Sequence, residues 1–141
     1  MPTTDFETQI DTFVINTKER MLGVVRQSIS NVVEETQTPT AKGGRMRVKT
    51  GFLRTSGGAS LNAPPTGPTR GDKHKVYTWD ADSVNVVLAK MKLGDAFYFG
   101  WTAHYAKYRE IYDGFLEAAS QNWQKHVDRA VARFKQKDAG K

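Results

Sequence analysis

The 141-residue chain predicts an α+β fold: an antiparallel sheet of three to four strands flanked by a long N-terminal helix and a C-terminal helix. Three observations predict it. Apolar residues recur at three- and four-residue steps over the first quarter of the chain, short aromatic or β-branched runs separated by turns occupy residues 76–101, and a second helical stripe begins at Phe115. Between the first helix and the strands lies a long basic Gly/Pro-rich loop, residues 38–75, an excursion from what is otherwise a single domain over 1–141.

The first helix is expected over residues 4–36. Its stripe runs Phe6, Ile10, Phe13, Val14, Met21, Val24, Val25, Ile29, Val32 and Val33, with polar residues between. Thr4 followed by Glu7 resembles a capping box, and Pro39 sets the end because it disfavours helical geometry in the residue before it. A helix of about 30 residues is ~45 Å long, more than a small domain covers, so part of it is expected to rest on a partner, bend or stand in solvent; a partner is preferred because the stripe stays apolar to its end.

The loop 38–75 holds seven of the twelve glycines and four of the five prolines. Within it Val48–Ser56 forms an apolar island, expected to be ordered and anchored through Phe52 and Leu53, while Ala41–Arg47 and Ser56–His74 read as mobile flanks. Three strands are then expected, at Val76–Trp79, Val84–Lys90 and Phe97–Trp101, joined as a meander by Asp80–Ser83 and Lys92–Asp95. Thr102 is a candidate N-cap for a helix over Ala103–Tyr112, and Asp113-Gly114 breaks it before a helix of about 20 residues from Phe115. Phe97, Phe99, Trp101, Tyr105 and Tyr108 make Phe97–Trp123 the richest apolar stretch and the expected centre of the core.

Charge is unevenly placed. Residues 1–37 sum to −3, whereas residues 38–75 carry Lys42, Arg45, Arg47, Lys49, Arg54, Arg70, Lys73 and Lys75 against Asp72 alone, a net +7. That segment exceeds the +6 of the whole chain because the other residues sum to −1; it suits phosphates or an acidic neighbour, and a solubilising loop would have the same composition. With Phe52 its only aromatic residue, the segment has no platform for stacking bases, so non-specific contact with the backbone of duplex DNA is the nucleic-acid reading it allows.

Chemistry is harder to find. There is no cysteine, which excludes disulfides and thiolate metal sites. His74, His104 and His126 share no ligand spacing and read as partly exposed. Glu34 and Glu35 read as facing solvent at a helix end, and Gly43-Gly44-Arg45 and Gly57-Gly58-Ala59-Ser60 lack the Lys-Ser/Thr of a nucleotide loop. No enzyme and no cofactor or metal is expected. No apolar run approaches the roughly 20 residues of a spanning helix, and acids stand where a signal peptide has bases, so a soluble, unexported protein without membrane contact is expected. An enzyme would require a site assembled between subunits.

Two short motifs carry a family resemblance. Thr50-Gly51-Phe52-Leu53-Arg54-Thr55-Ser56 and Tyr105-Ala106-Lys107-Tyr108-Arg109-Glu110, set between a long first helix and an alanine-containing last one, resemble the tail-completion and head–tail joining proteins of tailed bacteriophages. Gly51, Leu53, Arg54 and Ser56 match the first motif, and Tyr105, Ala106, Tyr108 and Glu110 the second. The family's Phe-Gly-Thr turn is replaced here by Ile111-Tyr112-Asp113-Gly114. The resemblance spans roughly residues 5–135. It implies a structural virion protein of the neck or tail end, assembled in the host cytoplasm. Such a protein would be a subunit of a homo-oligomeric ring, commonly a hexamer, through which DNA passes, with head-connector and tail-tube proteins as neighbours. The rival reading is a small basic DNA-binding protein using residues 42–75.

Overall fold

The computed structural model describes residues 2–139, with side chains over 7–135. Six α-helices and one two-stranded sheet are found among them: α1 (Pro2–Gln37), a 3-10 turn (Thr40–Lys42), α2 (Phe52–Thr55), β1 (Gly57–Leu61), α3 (Asp82–Lys90), β2 (Phe97–Trp101), α4 (Ala106–Asp113), α5 (Phe115–Gln121) and α6 (Trp123–Ala139). The class is α+β with a long N-terminal helix, as expected. Thr4 and its proposed cap lie outside the residues whose side chains are described.

The sheet differs from expectation. β1 pairs antiparallel with β2, Gly57 opposite Trp101 and Leu61 opposite Phe97, and no third strand is present among the described residues. Val84–Lys90 is helical. Val84 and Leu88, four residues apart, are buried against Val33 of α1, while Val86 is exposed; alternation would have put Val84, Val86 and Leu88 on one face, but the burial follows the helical period. Val76–Trp79 belongs to no strand. Tyr77 N donates to Thr50 O (2.8 Å), and the Tyr77 ring meets Phe52 edge-on.

The strand that replaces them comes from the glycine-rich segment expected to be mobile. Gly57 has no room for a side chain, since a Cβ there would lie 2.7 Å from Gln37 Nε2 and 2.9 Å from the Phe99 ring. The Asn62–Pro68 segment folds back beside β2: Pro65 lies near Gly58 and Gly100, and Thr102 Oγ1 donates to Pro68 O (2.7 Å). Thr102 is therefore no helix cap. α4 begins at Ala106 with Tyr105 at the N-cap position and no side-chain cap, so Thr102 lies three residues too early to cap it.

The core is built across the chain rather than within Phe97–Trp123. One cluster joins Met46, Phe52, Leu53, Ala103 and Phe115, with Tyr77, Trp101 and Tyr105 packed on it; a second joins Val33, Val84 and Leu88 under Phe97 and Phe99. Trp101 meets Phe115 at 4.9 Å between ring centroids, in the edge-on arrangement aromatic pairs favour. Tyr108, expected in this core, is 64% exposed. The last helix is two helices with a break at Asn122. Asn122 Nδ2 donates to Glu35 (2.7 Å), and the same carboxylate faces His126 Nε2 at 3.2 Å. Glu35 is thus not a solvent-facing acid, and His126, 5% exposed, is not a surface histidine.

A buried polar hub locks the end of α1. Gln37 is fully buried. Its Nε2 donates to Arg54 O (2.8 Å), its Oε1 accepts from Trp101 Nε1 (2.9 Å), and its backbone carbonyl accepts from Arg54 Nε (2.7 Å). The amide oxygen, the amide nitrogen and the backbone carbonyl each have a partner, so the hub ties α1, α2 and β2 together.

Candidate functional site

The family-like motifs converge in space, and most of their residues serve the fold. Gly51 has φ +88°, and a Cβ on it would come within 2.2 Å of Tyr77 O; only glycine is free of both penalties. Leu53 is buried in the first cluster, and Ser56 Oγ donates to Leu53 O (2.7 Å). Arg54 turns inward to the α1 carbonyl end, with its guanidinium 5.3 Å from the Trp79 ring centre. Tyr105 packs on the same cluster; burial pushes its hydroxyl above the ordinary value, against a smaller opposing pull from the Leu53 backbone. Ala106 packs there too. Glu110 accepts from Leu116 N (2.8 Å) and Glu117 N (2.9 Å), so it closes the first turn of α5. Only Tyr108 of this set points outward.

The basic segment does not form one continuous stripe. Lys42, Arg45, Arg47, Lys49, Arg70, Lys73 and Lys75 are exposed, and Arg54 is half-buried. Arg47, Lys49, Arg54 and Lys73 border a cleft of about 530 Å³ beside α2, whose lining includes Phe52, Leu53 and Tyr105; Lys42, Arg45, Arg70 and Lys75 lie outside it. The cleft gains two residues that the charge pattern did not single out, His104 and Arg109. His104 Nδ1 is 2.9 Å from Thr69 O, which only accepts, so that nitrogen carries the proton. No serine or cysteine lines the cleft, and its one carboxylate, Asp72, accepts from His74 N (2.8 Å). The cleft offers cations around an apolar floor, suited to binding an anion or an acidic segment. No three His, Asp or Glu side chains are grouped to hold a metal among the described residues.

The larger feature is apolar and exposed. The second half of α1 is clasped by α3, α5 and α6, with Arg26 donating to Met91 O (2.6 Å) at the end of α3 and Gln27 accepting from Arg133 (2.7 Å) of α6. Residues 7–21 are all exposed. Ile10, Phe13, Val14 and Met21 stand there on one side of the helix, Phe13 71% exposed. A second exposed apolar group lies on α4 and the start of α5: Tyr108 at 64%, Ile111 at 68%, Tyr112 at 80% and Leu116 at 42%. The sequence carried a signal for this second group, since 108, 111 and 112 follow the i, i+3, i+4 spacing of one helix face.

Comparison with protein-family models, curated proteins and solved structures finds no match for the chain. Among the described residues no helix is long and apolar enough to cross a membrane.

Proposed function

We propose that the chain is a structural assembly subunit of a bacteriophage virion, in the neck or tail end. It would act as a tail-completion, terminator or head–tail connector subunit, forming a ring through which DNA passes. The observation that carries this reading is the bare first half of α1. An apolar stripe about 16 Å long from Ile10 to Met21, left outside the core of its own chain, is a surface that neighbours complete. The two sequence motifs support it as resemblance, and Arg54 of the first motif joins the end of α1 to α2 beside the sheet.

In this proposal the protein assembles in the host cytoplasm, works in the virion, and needs neither a cofactor nor a catalytic step. Head-connector and tail-tube proteins are its neighbours above and below. The cations around the cleft meet either acidic side chains of those neighbours or the phosphates of DNA in the lumen.

Light scattering on the purified protein, followed by imaging, tests the reading. The expected result is a closed assembly of several 15.8 kDa copies. A strict monomer at high concentration, with no affinity for connector or tube proteins, overturns it. Exposed Arg47, Lys49 and Lys73 around one cleft favour duplex binding as a second reading. There the test is a salt titration, in which affinity must fall steeply as phosphate counterions are released.

A further inference from the structure

The two exposed apolar surfaces are of opposite charge. Residues 1–21 carry Asp5, Glu7, Asp11 and Glu19 against Lys18 and Arg20, a net −2, and no base precedes Lys18, so Ile10, Phe13 and Val14 stand in an acidic segment. The α4 surface of Tyr108, Ile111 and Tyr112 is bordered by cations. Lys107 is exposed on the same helix, and an Arg45 Nη1 lies 3.8 Å from the Cβ position of Gly114. Arg47 and Arg109 both approach the single carboxylate of Asp113, at 3.7 and 2.6 Å, and Glu110 is held on the Leu116 and Glu117 amides; Arg45, Arg47, Lys107 and Arg109 against Glu110, Asp113 and Glu117 leave this surface at +1.

These surfaces cannot meet within one molecule. α4 leads directly into Phe115, which packs on Trp101, and Trp101 is bonded to Gln37 at the C-terminal end of α1. Phe13 stands 24 residues before Gln37 in an unbroken helix, about 36 Å away along its axis.

We infer that the acidic first half of α1 docks on the basic-rimmed α4 surface of a second copy of this chain. The inference rests on the assembly reading above and names the junction. Because the two surfaces differ, the contact is heterologous: each copy gives one stripe and receives one, and the pattern closes into a ring or runs on as a filament. Pairing of α1 with α1 would bury the stripe but leave Tyr108, Ile111 and Tyr112 in water. Docking on α4 buries both, with Glu7 and Asp11 near Arg45 and Lys107, an arrangement that also sets direction.

Two full-length variants test it, Phe13→Glu on the stripe and Tyr112→Glu on the patch. Both positions are exposed, so circular dichroism should show folded protein in each case. A buried, unpaired carboxylate at either position is expected to weaken the junction by about thirtyfold or more, so each variant alone runs as a monomer at concentrations where the native chain assembles. Mixed in equal amounts, they are expected to form a heterodimer and nothing larger, through the intact stripe of one and the intact patch of the other. Assembly of the Tyr112→Glu variant by itself, which α1–α1 pairing would produce, overturns the junction while leaving the assembly reading in place. So does a mixture that stays monomeric. A native chain that is itself monomeric overturns the assembly reading instead.

Discussion

Gly51→Ala is the sharpest test of how the first motif works. Two costs meet at this residue. Its φ of +88° lies in the left-handed region, which costs a residue with a Cβ about 1–2 kcal/mol. A Cβ would also sit 2.2 Å from Tyr77 O, so Tyr77 must withdraw by roughly 1 Å to reach ordinary contact. Withdrawal strains the Tyr77 N to Thr50 O bond of 2.8 Å and the edge contact with Phe52, each worth about 0.5–1.5 kcal/mol. The expected loss is therefore about 2–5 kcal/mol, a large part of the 5–15 kcal/mol typical of a folded domain. Gly43→Ala is the matched control, because Gly43 has φ +86° but nothing within 4 Å of its Cβ position. It should lose only about 1–2 kcal/mol. Any gain from restricting the unfolded chain is common to both and drops out of the difference. Urea denaturation of the three proteins reads the values directly, and in thermal melts the Gly51 variant should fall by about 10–20 °C and the control by about 5 °C. Equal losses at the two positions would refute the carbonyl clash and, with it, the structural reading of the motif glycine.

Three further predictions follow from single contacts. Glu110→Ala should cost about 1 kcal/mol in denaturant, since it leaves Leu116 N and Glu117 N without their acceptor, and Glu110→Gln should cost less because an amide oxygen still accepts. Arg54→Lys keeps the charge but loses the Nε bond to Gln37 O and the planar face toward Trp79, so urea melts should show a loss of about 1–2 kcal/mol rather than the near-neutral effect of a surface exchange. Asp95 is held below its ordinary 3.8, chiefly by accepting from Lys92 N and then by the Asn62 side chain. A lowered folded value means stability that is present above pH 3.8 and lost as pH falls through the folded value; acid titration of stability should show this component in the native chain and not in Asp95→Asn.

The long first helix, the strand at Phe97–Trp101, the ordered island anchored by Phe52 and Leu53, and the segregation of charge are all legible in the residues alone. Each rests on a local signal: a helical stripe over many turns, an aromatic run before a Gly-Trp break, two large apolar residues in a Gly/Pro-rich segment. The bare half of α1 was also legible, because its length alone exceeded what a small domain covers. Other features were decided only by the tertiary structure. Val84–Lys90 has a β-branched composition that suits strand or helix, and the choice fell to the helix because α1 offers Val33 to residues spaced by four. Gly57–Leu61 has almost no strand signal of its own; it pairs because the edge of β2 is open beside it and Gly57 alone fits against Gln37 and Phe99. Arg54 looked like a free cation of the loop and became part of a buried hub. Which charges stay outside depends on which backbone carbonyls the fold leaves in need of a donor, and that need arises only when distant segments meet.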